Sequence, residues 1–129
     1  MNLVDDTQVI VKLIWAGLEP TYSLDHKNRV ISLEIRSQGL KEVPSEIAKL
    51  ENLQQLDLSF NEIEKWPPEM AKLQKLENLN LSLNEIIEWP PEMAVLQNLQ
   101  ELDVSCNKFT AKEKEKIQAL HENCEELFL

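Results

Sequence analysis

The sequence predicts an α/β fold: a short right-handed solenoid with a parallel β-sheet on its concave side, short helical turns on its convex side and helical caps at both ends. Three observations predict it. The chain aligns with itself at an offset of 23 residues, a period typical of repeat solenoids. Each copy begins with alternating leucine and polar residues and continues into a short helical pattern. The segments before and after the copies each carry one helical pattern, so the 129 residues are expected to form a single domain.

Residues 1–28 predict an N-terminal cap built around one helix. Asp6 is a suitable N-cap residue for a helix from about Thr7 to Ala16, and Gly17 with Pro20 is expected to end it. One apolar face of this helix is expected to pack on the first repeat, and it consists of Val9, Ile10, Leu13 and Ile14.

A second apolar side of the same helix is formed by Val11, Trp15 and Leu18. It extends the hydrophobic surface around most of the circumference, which a simple amphipathic cap does not need. Two interpretations stay open. Either the following segment, residues 20–28, folds back over this side, or the side is an interface for a second copy or for a partner.

Four repeats follow over residues 29–110, and they start near Val30, Leu53, Leu76 and Leu99. In the second repeat, Leu56 and Leu58 alternate with polar residues, which is the period of a strand with one buried face. Strands from repeats of equal length are expected to stack in register. A buried asparagine ladder is predicted directly after the strands, at Asn61, Asn84 and Asn107, with Gln38 in the equivalent place of the first repeat.

The second half of each repeat carries signals for the start of a short helix. Pro67 and Pro90 fix the backbone φ angle and lack an N–H donor, which suits the first turn of a helix. Trp66 and Trp89 directly precede them. These two indoles are interpreted either as a stacked pair inside the solenoid or as an exposed aromatic stripe for binding.

The repeats resemble the leucine-rich repeat family, in its type with 23 residues and a second half of the form LPxEIxxLxxL. The segments VPSEIAKLENL, WPPEMAKLQKL and WPPEMAVLQNL match this form from Val43, Trp66 and Trp89. The resemblance covers residues 29 to about 110, and the C-terminal segment is similar to the helical cap of many bacterial members. It implies a scaffold that binds proteins.

Residues 111–129 predict a C-terminal cap helix and a final strand. Thr110 and Glu113 have the spacing of a capping box for a helix from about Ala111 to Glu122. The inward side of this helix is predicted to contain Ile117, Leu120 and Cys124. The apolar residues 127–129 are expected to lie against the last repeat as an edge strand.

The charge of the chain limits its partners. Thirteen Lys and Arg against 23 Asp and Glu give a formal net charge of −10, which argues against nucleic acid and anionic membranes and favours a protein partner with a basic patch. The longest apolar run, residues 9–18, is about half of the roughly 20 residues that span a bilayer. We therefore expect a cytoplasmic protein, with Cys106 and Cys124 as free thiols.

No catalytic, cofactor or metal site is evident in the sequence. The acidic residues are scattered, His26 and His121 lie far apart in the chain, and two glycines are too few for a phosphate loop. His121, Cys124 and Cys106 lack the paired spacing of zinc ligands. The sequence therefore predicts a protein that is not an enzyme and needs no cofactor.

The alternation within the strands predicts which residues line the concave face. The first column across the strands reads Ser32, Gln55, Asn78 and Glu101, the second Glu34, Asp57, Asn80 and Asp103, and the third Arg36, Ser59, Ser82 and Ser105. A fourth column lies just past the strands and reads Ser37, Phe60, Leu83 and Cys106. Its apolar members are either a docking edge or residues that only pack on one another.

These columns predict a non-catalytic module that binds a protein partner through the concave sheet and its apolar edge. The sheet alone offers on the order of 300 Å², less than the ~800 Å² per partner of a standard interface, so flanking surfaces must contribute. Charge reversal at Asp57 and Asp103 is expected to weaken binding without unfolding the chain. Two alternatives are a self-associating unit, monomer or weak homodimer, joined through Val11, Trp15 and Leu18, and an acidic inhibitor of a basic enzyme.

Overall fold

The computed structural model describes residues 5–129 and confirms the predicted solenoid. Helix α1 (Asp6–Trp15) comes first, and helix α2 (Ala111–Leu120) covers the opposite end. The strands are β1 (Thr21–Leu24), β2 (Val30–Glu34), β3 (Gln55–Asp57), β4 (Asn78–Asn80), β5 (Glu101–Asp103) and β6 (Glu126–Phe128). Three short 3-10 helices form the convex side, at Ser45–Lys49, Pro68–Lys72 and Pro91–Val95.

The six strands form one sheet in the order of the sequence. Strand β1 is antiparallel to β2, and every later pair is parallel. Because the repeats have equal lengths, their residues pair at the same position, so Leu56 lies beside Leu79 and Leu79 beside Leu102. These leucines are at most 2% exposed, and they form the sheet side of a continuous core.

The N-terminal helix begins one residue earlier than predicted. Asp5, not Asp6, is the N-cap residue, and its Oδ1 accepts the backbone N–H of Thr7 at 2.7 Å. Asp6 instead accepts the backbone N–H of Val30 at 2.8 Å. Both aspartates satisfy a backbone donor, but Asp6 does so across the fold and anchors α1 to the start of β2.

The end of α1 follows the prediction at Gly17. Its φ angle is +90°, its N–H donates to the carbonyl of Ile14, and the N–H of Leu18 donates to the carbonyl of Leu13. This pair of bonds is a Schellman motif, in which glycine takes the left-handed conformation without a steric penalty.

The predicted packing face of α1 is wrong at one residue. Val9, Ile10 and Leu13 are at most 2% exposed, but Ile14 is 51% exposed. The segment expected to fold back over the second apolar side forms strand β1 instead, and Trp15 remains 83% exposed. Leu18 packs partly against the core.

Asparagines connect neighbouring repeats, as predicted. The Nδ2 of Asn61 donates to the carbonyls of Ile35 and Leu58, and its Oδ1 accepts from the backbone N–H groups of Gln38 and Leu40. Asn84 and Asn107 repeat the donor bonds one and two repeats later.

Gln38 lies at the ladder position of the first repeat, where its longer side chain reaches the N-terminal cap. It donates to the carbonyl of Glu19 at 2.9 Å and accepts from the N–H of the same residue at 2.8 Å. The glutamine side chain is one methylene longer than asparagine, and it therefore extends the ladder to the N-terminal cap, which contains no repeat.

The indoles of Trp66 and Trp89 form the predicted stacked pair in the interior. Their ring centroids are 6.2 Å apart with an interplanar angle of 5°, and they are 2% and 4% exposed. Each N–H has a partner: Trp66 donates to the sulfur of Met93 and Trp89 to Nε2 of His121. An exposed aromatic stripe is therefore excluded at these positions.

The C-terminal cap contains only half of the predicted capping box. Thr110 accepts the N–H of Glu113, but the Glu113 carboxylate accepts the backbone N–H of Trp89 at 2.9 Å. This side chain bonds the preceding repeat, which fixes α2 onto the solenoid. The helix ends at Leu120, two residues before the predicted end.

Candidate functional site

The concave face is formed by side chains of all six strands. Two rows run across it, because residues on neighbouring strands pair in register. The first row reads Ser23, Ser32, Gln55, Asn78, Glu101 and Glu126, and the second reads Thr21, Glu34, Asp57, Asn80, Asp103 and Phe128. These two rows contain the first two columns predicted from the sequence, whose residues lie side by side in the structure.

The first and last strands lengthen these rows beyond the four repeats. Thr21 and Ser23 of β1, with Glu126 and Phe128 of β6, were not among the predicted site residues. A signal for the second pair exists in the sequence, since Glu126-Leu127-Phe128 repeats the pattern of Glu101-Leu102-Asp103. Phe128 is 45% exposed, so it faces the rim of the concave surface and not the core.

The predicted third column does not face solvent as a whole. Ser59 is fully buried and Ser82 is 7% exposed, whereas Arg36 is exposed. The Ser59 hydroxyl donates to Oδ1 of Asp57 at 2.6 Å, and Ser82 with Asn80 forms the same contact. The strand ends at Asp57, so the chain has already begun to turn and the serine folds back on the strand.

The aspartates of the second row therefore have structural bonds of their own. Oδ1 of Asp57 also accepts the backbone N–H of Ser59, and Oδ1 of Asp103 accepts both donors of Ser105. Charge reversal at Asp57 and Asp103 would break these bonds. The expectation that such reversal leaves the fold intact is not compatible with this geometry, and Glu101 and Glu126, both exposed, are better probes of the surface.

The two ends of the concave face differ in their charge balance. Near the N-terminal end, the Arg36 guanidinium lies 3.7 Å from Glu34 and 3.6 Å from Asp57. Near the C-terminal end, Glu101, Asp103 and Glu126 take part in none of the ion pairs among residues 5–129. Negative potential is thus concentrated over β5 and β6.

One rim of the face carries an apolar ridge, formed by Phe60, Leu83 and Cys106. Phe60 is 47% and Leu83 40% exposed, so they do not merely bury one another. Each ridge residue has a left-handed backbone, with φ of +58° at Phe60 and +57° at Leu83 and Cys106. Ser37 occupies the same conformation in the first repeat.

Two kinds of contact hold the ridge in place. The backbone N–H groups of Phe60 and Leu83 donate to the carbonyls of Ser82 and Ser105 in the next repeat. The Arg36 guanidinium lies 5.5 Å from the ring centroid of Phe60, within the range of a cation–π interaction. Arg36 therefore joins the acidic row to the ridge.

A shallow depression of about 320 Å³ lies on the concave face, over β1 to β5. Its rim consists of polar side chains of the two rows, such as Glu34, Gln55 and Asn78. Small-molecule sites of this size are mostly apolar and enclose their ligand. This depression is open and its rim is polar, so it lacks the apolar enclosure of such sites.

Reactive groups are few in the described part of the chain. No group of three or more His, Cys, Asp or Glu among residues 5–129 could hold a metal ion. His121 is 6% exposed and accepts the Trp89 N–H, and burial lowers its pKa. Burial raises the pKa of the Cys124 thiol, and both cysteines are free. None of the helices in residues 5–129 has the length and apolar character needed to cross a bilayer.

Comparisons with known proteins agree with this geometry. A family model described as a leucine-rich repeat region matches residues 22–124. A leucine-rich repeat protein of Leptospira interrogans is 37% identical, with a TM-score of 0.70, over 74% of this chain and 24% of that protein. An internalin of Listeria monocytogenes is 29% identical, with a TM-score of 0.68, over 78% of this chain and 28% of that one.

A third similar structure comes from the BIR3–SERK2 complex of Arabidopsis thaliana. It is 31% identical, with a TM-score of 0.62, over 70% of this chain and 50% of that one. The chain thus spans about a quarter of the length of the two bacterial proteins. The search of curated proteins found no match to this chain. The family model covers most of the sequence, and the chain belongs to the leucine-rich repeat family.

Proposed function

We propose that this chain is a protein-interaction module that binds its partner through the concave face and the apolar ridge. Leucine-rich repeat domains are typically protein-binding scaffolds, and the similar Arabidopsis chain is part of a complex between two proteins. On this proposal the chain is not an enzyme and requires no cofactor. The alternative role of an acidic inhibitor of a basic enzyme would use the same surface.

The conformation of the ridge is the observation that carries the proposal. A left-handed backbone costs a residue with a Cβ atom roughly 1–2 kcal/mol, and glycine or asparagine adopts it at lower cost. The chain nevertheless has Phe60 and Leu83 there, with side chains 47% and 40% exposed. Folding alone does not favour large exposed apolar residues at strained positions, so we assign them to binding.

The size of the face requires such a ridge. Six strands about 4.8 Å apart, with three residues each along the strand, present on the order of 300 Å². A standard interface buries about 800 Å² per partner. The ridge and the neighbouring loops therefore supply the remaining contact area, with Phe60 and Leu83 as apolar anchors.

The charge of the face favours a partner with a basic patch. Arg36 balances the acidic residues near β2 and β3, but the three acidic residues at the C-terminal end take part in no ion pair within residues 5–129. A partner that brings Lys or Arg to β5 and β6 gains steering and specificity there. This attraction weakens with added salt. We also propose a cytoplasmic location, in keeping with two free thiols.

The test is affinity capture from a lysate of the source cells with three forms of the chain. The double variant Glu101→Lys and Glu126→Lys reverses charge on the concave face, and Glu69→Lys with Glu92→Lys makes the same change on the convex helices. The proposal expects the concave variant to lose a protein that the wild type and the convex variant retain. Equal capture by all three forms, with unchanged circular dichroism, would refute the concave site.

A further inference from the structure

The outer side of helix α1 is the most exposed apolar surface of the cap. At 100° per residue, Val11 and Trp15 lie opposite the buried face of Val9, Ile10 and Leu13. Val11 is 41%, Ile14 51% and Trp15 83% exposed. Tryptophan is enriched at protein interfaces, and neighbouring exposed apolar side chains mark an interaction site.

We propose that this surface, formed by Val11, Ile14 and Trp15 and here called the α1 patch, binds the α1 patch of a second copy of the chain. This inference is independent of the concave face. The expected dimer is two-fold symmetric, so each patch meets the same patch on its partner. The α1 patch differs from the set expected from the sequence, which was Val11, Trp15 and Leu18. Leu18 is partly buried, and the exposed Ile14 takes its place.

The position of the residues along α1 is compatible with a two-fold pairing. In an antiparallel pair of helices centred between Val11 and Trp15, the indole of one copy lies beside Val11 of the other. The reciprocal contact follows by symmetry, and Ile14 lies close to the axis. The same α1 residues of each copy thus form the apolar contact. Leu13, on the opposite side of α1, stays buried and continues to hold the helix on its own solenoid.

The charge distribution favours a second copy at this end of the molecule. The first 30 residues carry three basic and four acidic side chains, a formal charge of −1, whereas the whole chain carries −10. Two copies that meet through α1 therefore keep their acidic concave faces and C-terminal ends apart. The mutual repulsion between copies is therefore smaller than in a pairing through their acidic faces.

The area of the patch sets the strength of the dimer. Three apolar side chains and their neighbours bury less than the ~800 Å² per partner of a standard interface. We therefore expect a weak dimer that forms at high protein concentration. Because the contact is apolar and the overall charge is repulsive, added salt should strengthen it.

Sedimentation velocity over a wide range of protein concentrations, at low and high salt, tests the proposal. The wild type should shift from monomer to dimer as concentration rises, and further at high salt. Trp15→Ser should raise the dissociation constant roughly tenfold or more, as expected for a central aromatic anchor. Ile87→Ser is the matched control, since Ile87 is 56% exposed and lies in the third repeat, away from α1. It should leave the equilibrium unchanged.

A second measurement uses the tryptophans of the wild type. Trp15 is 83% exposed, whereas Trp66 and Trp89 are buried, so acrylamide quenches chiefly Trp15. Quenching should decrease as the protein concentration rises. The proposal would be overturned by a wild-type chain that stays monomeric at every concentration and salt level. An equal change of the dissociation constant in Trp15→Ser and Ile87→Ser would overturn it as well. Neither outcome depends on whether the concave face binds a partner.

Discussion

The indole N–H of Trp89 donates a 3.0 Å hydrogen bond to Nε2 of His121. Both side chains are buried, and their rings meet edge to face at 5.9 Å. The bond requires Nε2 without a proton, so the imidazole is neutral with its hydrogen on Nδ1. The repeat that contains Trp89 is thereby joined to the C-terminal cap by a buried side-chain contact, in addition to the bond from its backbone N–H to Glu113.

The first prediction concerns the indole side of this contact. Trp89→Phe removes the donor, leaves the buried Nε2 of His121 unsatisfied and is expected to cost about 1–3 kcal/mol of the free energy of unfolding. Urea denaturation measures the change. Trp66→Phe is the control, because Trp66 donates only to a sulfur, a weak acceptor. A larger loss in the control would contradict the assigned role of His121.

The second prediction is a pH dependence of stability. Burial holds the pKa of His121 below its ordinary value of 6.5 in the folded state, whereas the unfolded chain titrates near that value. The unfolded state therefore binds more protons once the pH falls below about 6.5. The contribution of neutral His121 is complete above this pH and decreases as the pH falls towards the folded-state pKa.

His121→Gln supplies the comparison for this prediction, because glutamine can accept the Trp89 bond but does not titrate. Denaturation curves for both forms between neutral and mildly acidic pH should show a smaller loss of stability in the variant. Parallel curves would mean that His121 is not the group responsible.

The third prediction concerns the asparagine ladder. Asn84→Ala leaves the N–H of Ile63 without its partner, whereas the carbonyls of Leu58 and Leu81 each keep an amide donor from a neighbouring ladder asparagine. We expect a loss of about 1–3 kcal/mol in the free energy of unfolding, the cost of one buried donor left unsatisfied. Asn52→Ala, which removes only an exposed contact with Lys75, should change stability by less than about 0.5 kcal/mol.

The fourth prediction separates binding from stability at the ridge. Phe60→Asn with Leu83→Asn places a residue that tolerates the left-handed backbone at two positions with φ near +58°. Thermal melting should be unchanged or slightly higher, and capture of the partner should decrease. A variant that melts much lower would show that the ridge stabilises the fold, and binding at wild-type strength would remove it from the site.

The fifth prediction concerns the final strand. Removal of residues 127–129 takes away most of β6, and with it Leu127 and Leu129, which pack on the core. The open end of the solenoid should then lower the melting temperature by several degrees. Phe128→Ser is the matched control, because Phe128 is 45% exposed and should have little effect. Equal melting of the deletion and the control would show that β6 is not needed as a cap.

Much of the fold follows from local patterns that recur along the chain. The offset of 23 residues predicts that Gln55 lies beside Asn78, and Asn78 beside Glu101, because equal repeats stack without a change of register. The same pattern predicts that Leu56 is buried. The concave rows could therefore be predicted for the four repeats. The residues that β6 adds also carry a signal in the sequence, because Glu126-Leu127-Phe128 repeats the pattern of Glu101-Leu102-Asp103, whereas the side chains that β1 adds could not be predicted.

The sequence by itself determined the repeat, the alternation of its strands and hence the parallel sheet, because these depend on spacing along one chain. Only the tertiary structure decided the contacts between residues that do not occupy equivalent positions of the repeats. Asp5 rather than Asp6 caps α1 because the N–H of Val30 lies within reach of Asp6, and Ser59 is buried because the chain turns directly after Asp57. Trp15 remains exposed because the following segment pairs with β2 as an edge strand, where its backbone donors and acceptors find partners, and does not fold back over the helix.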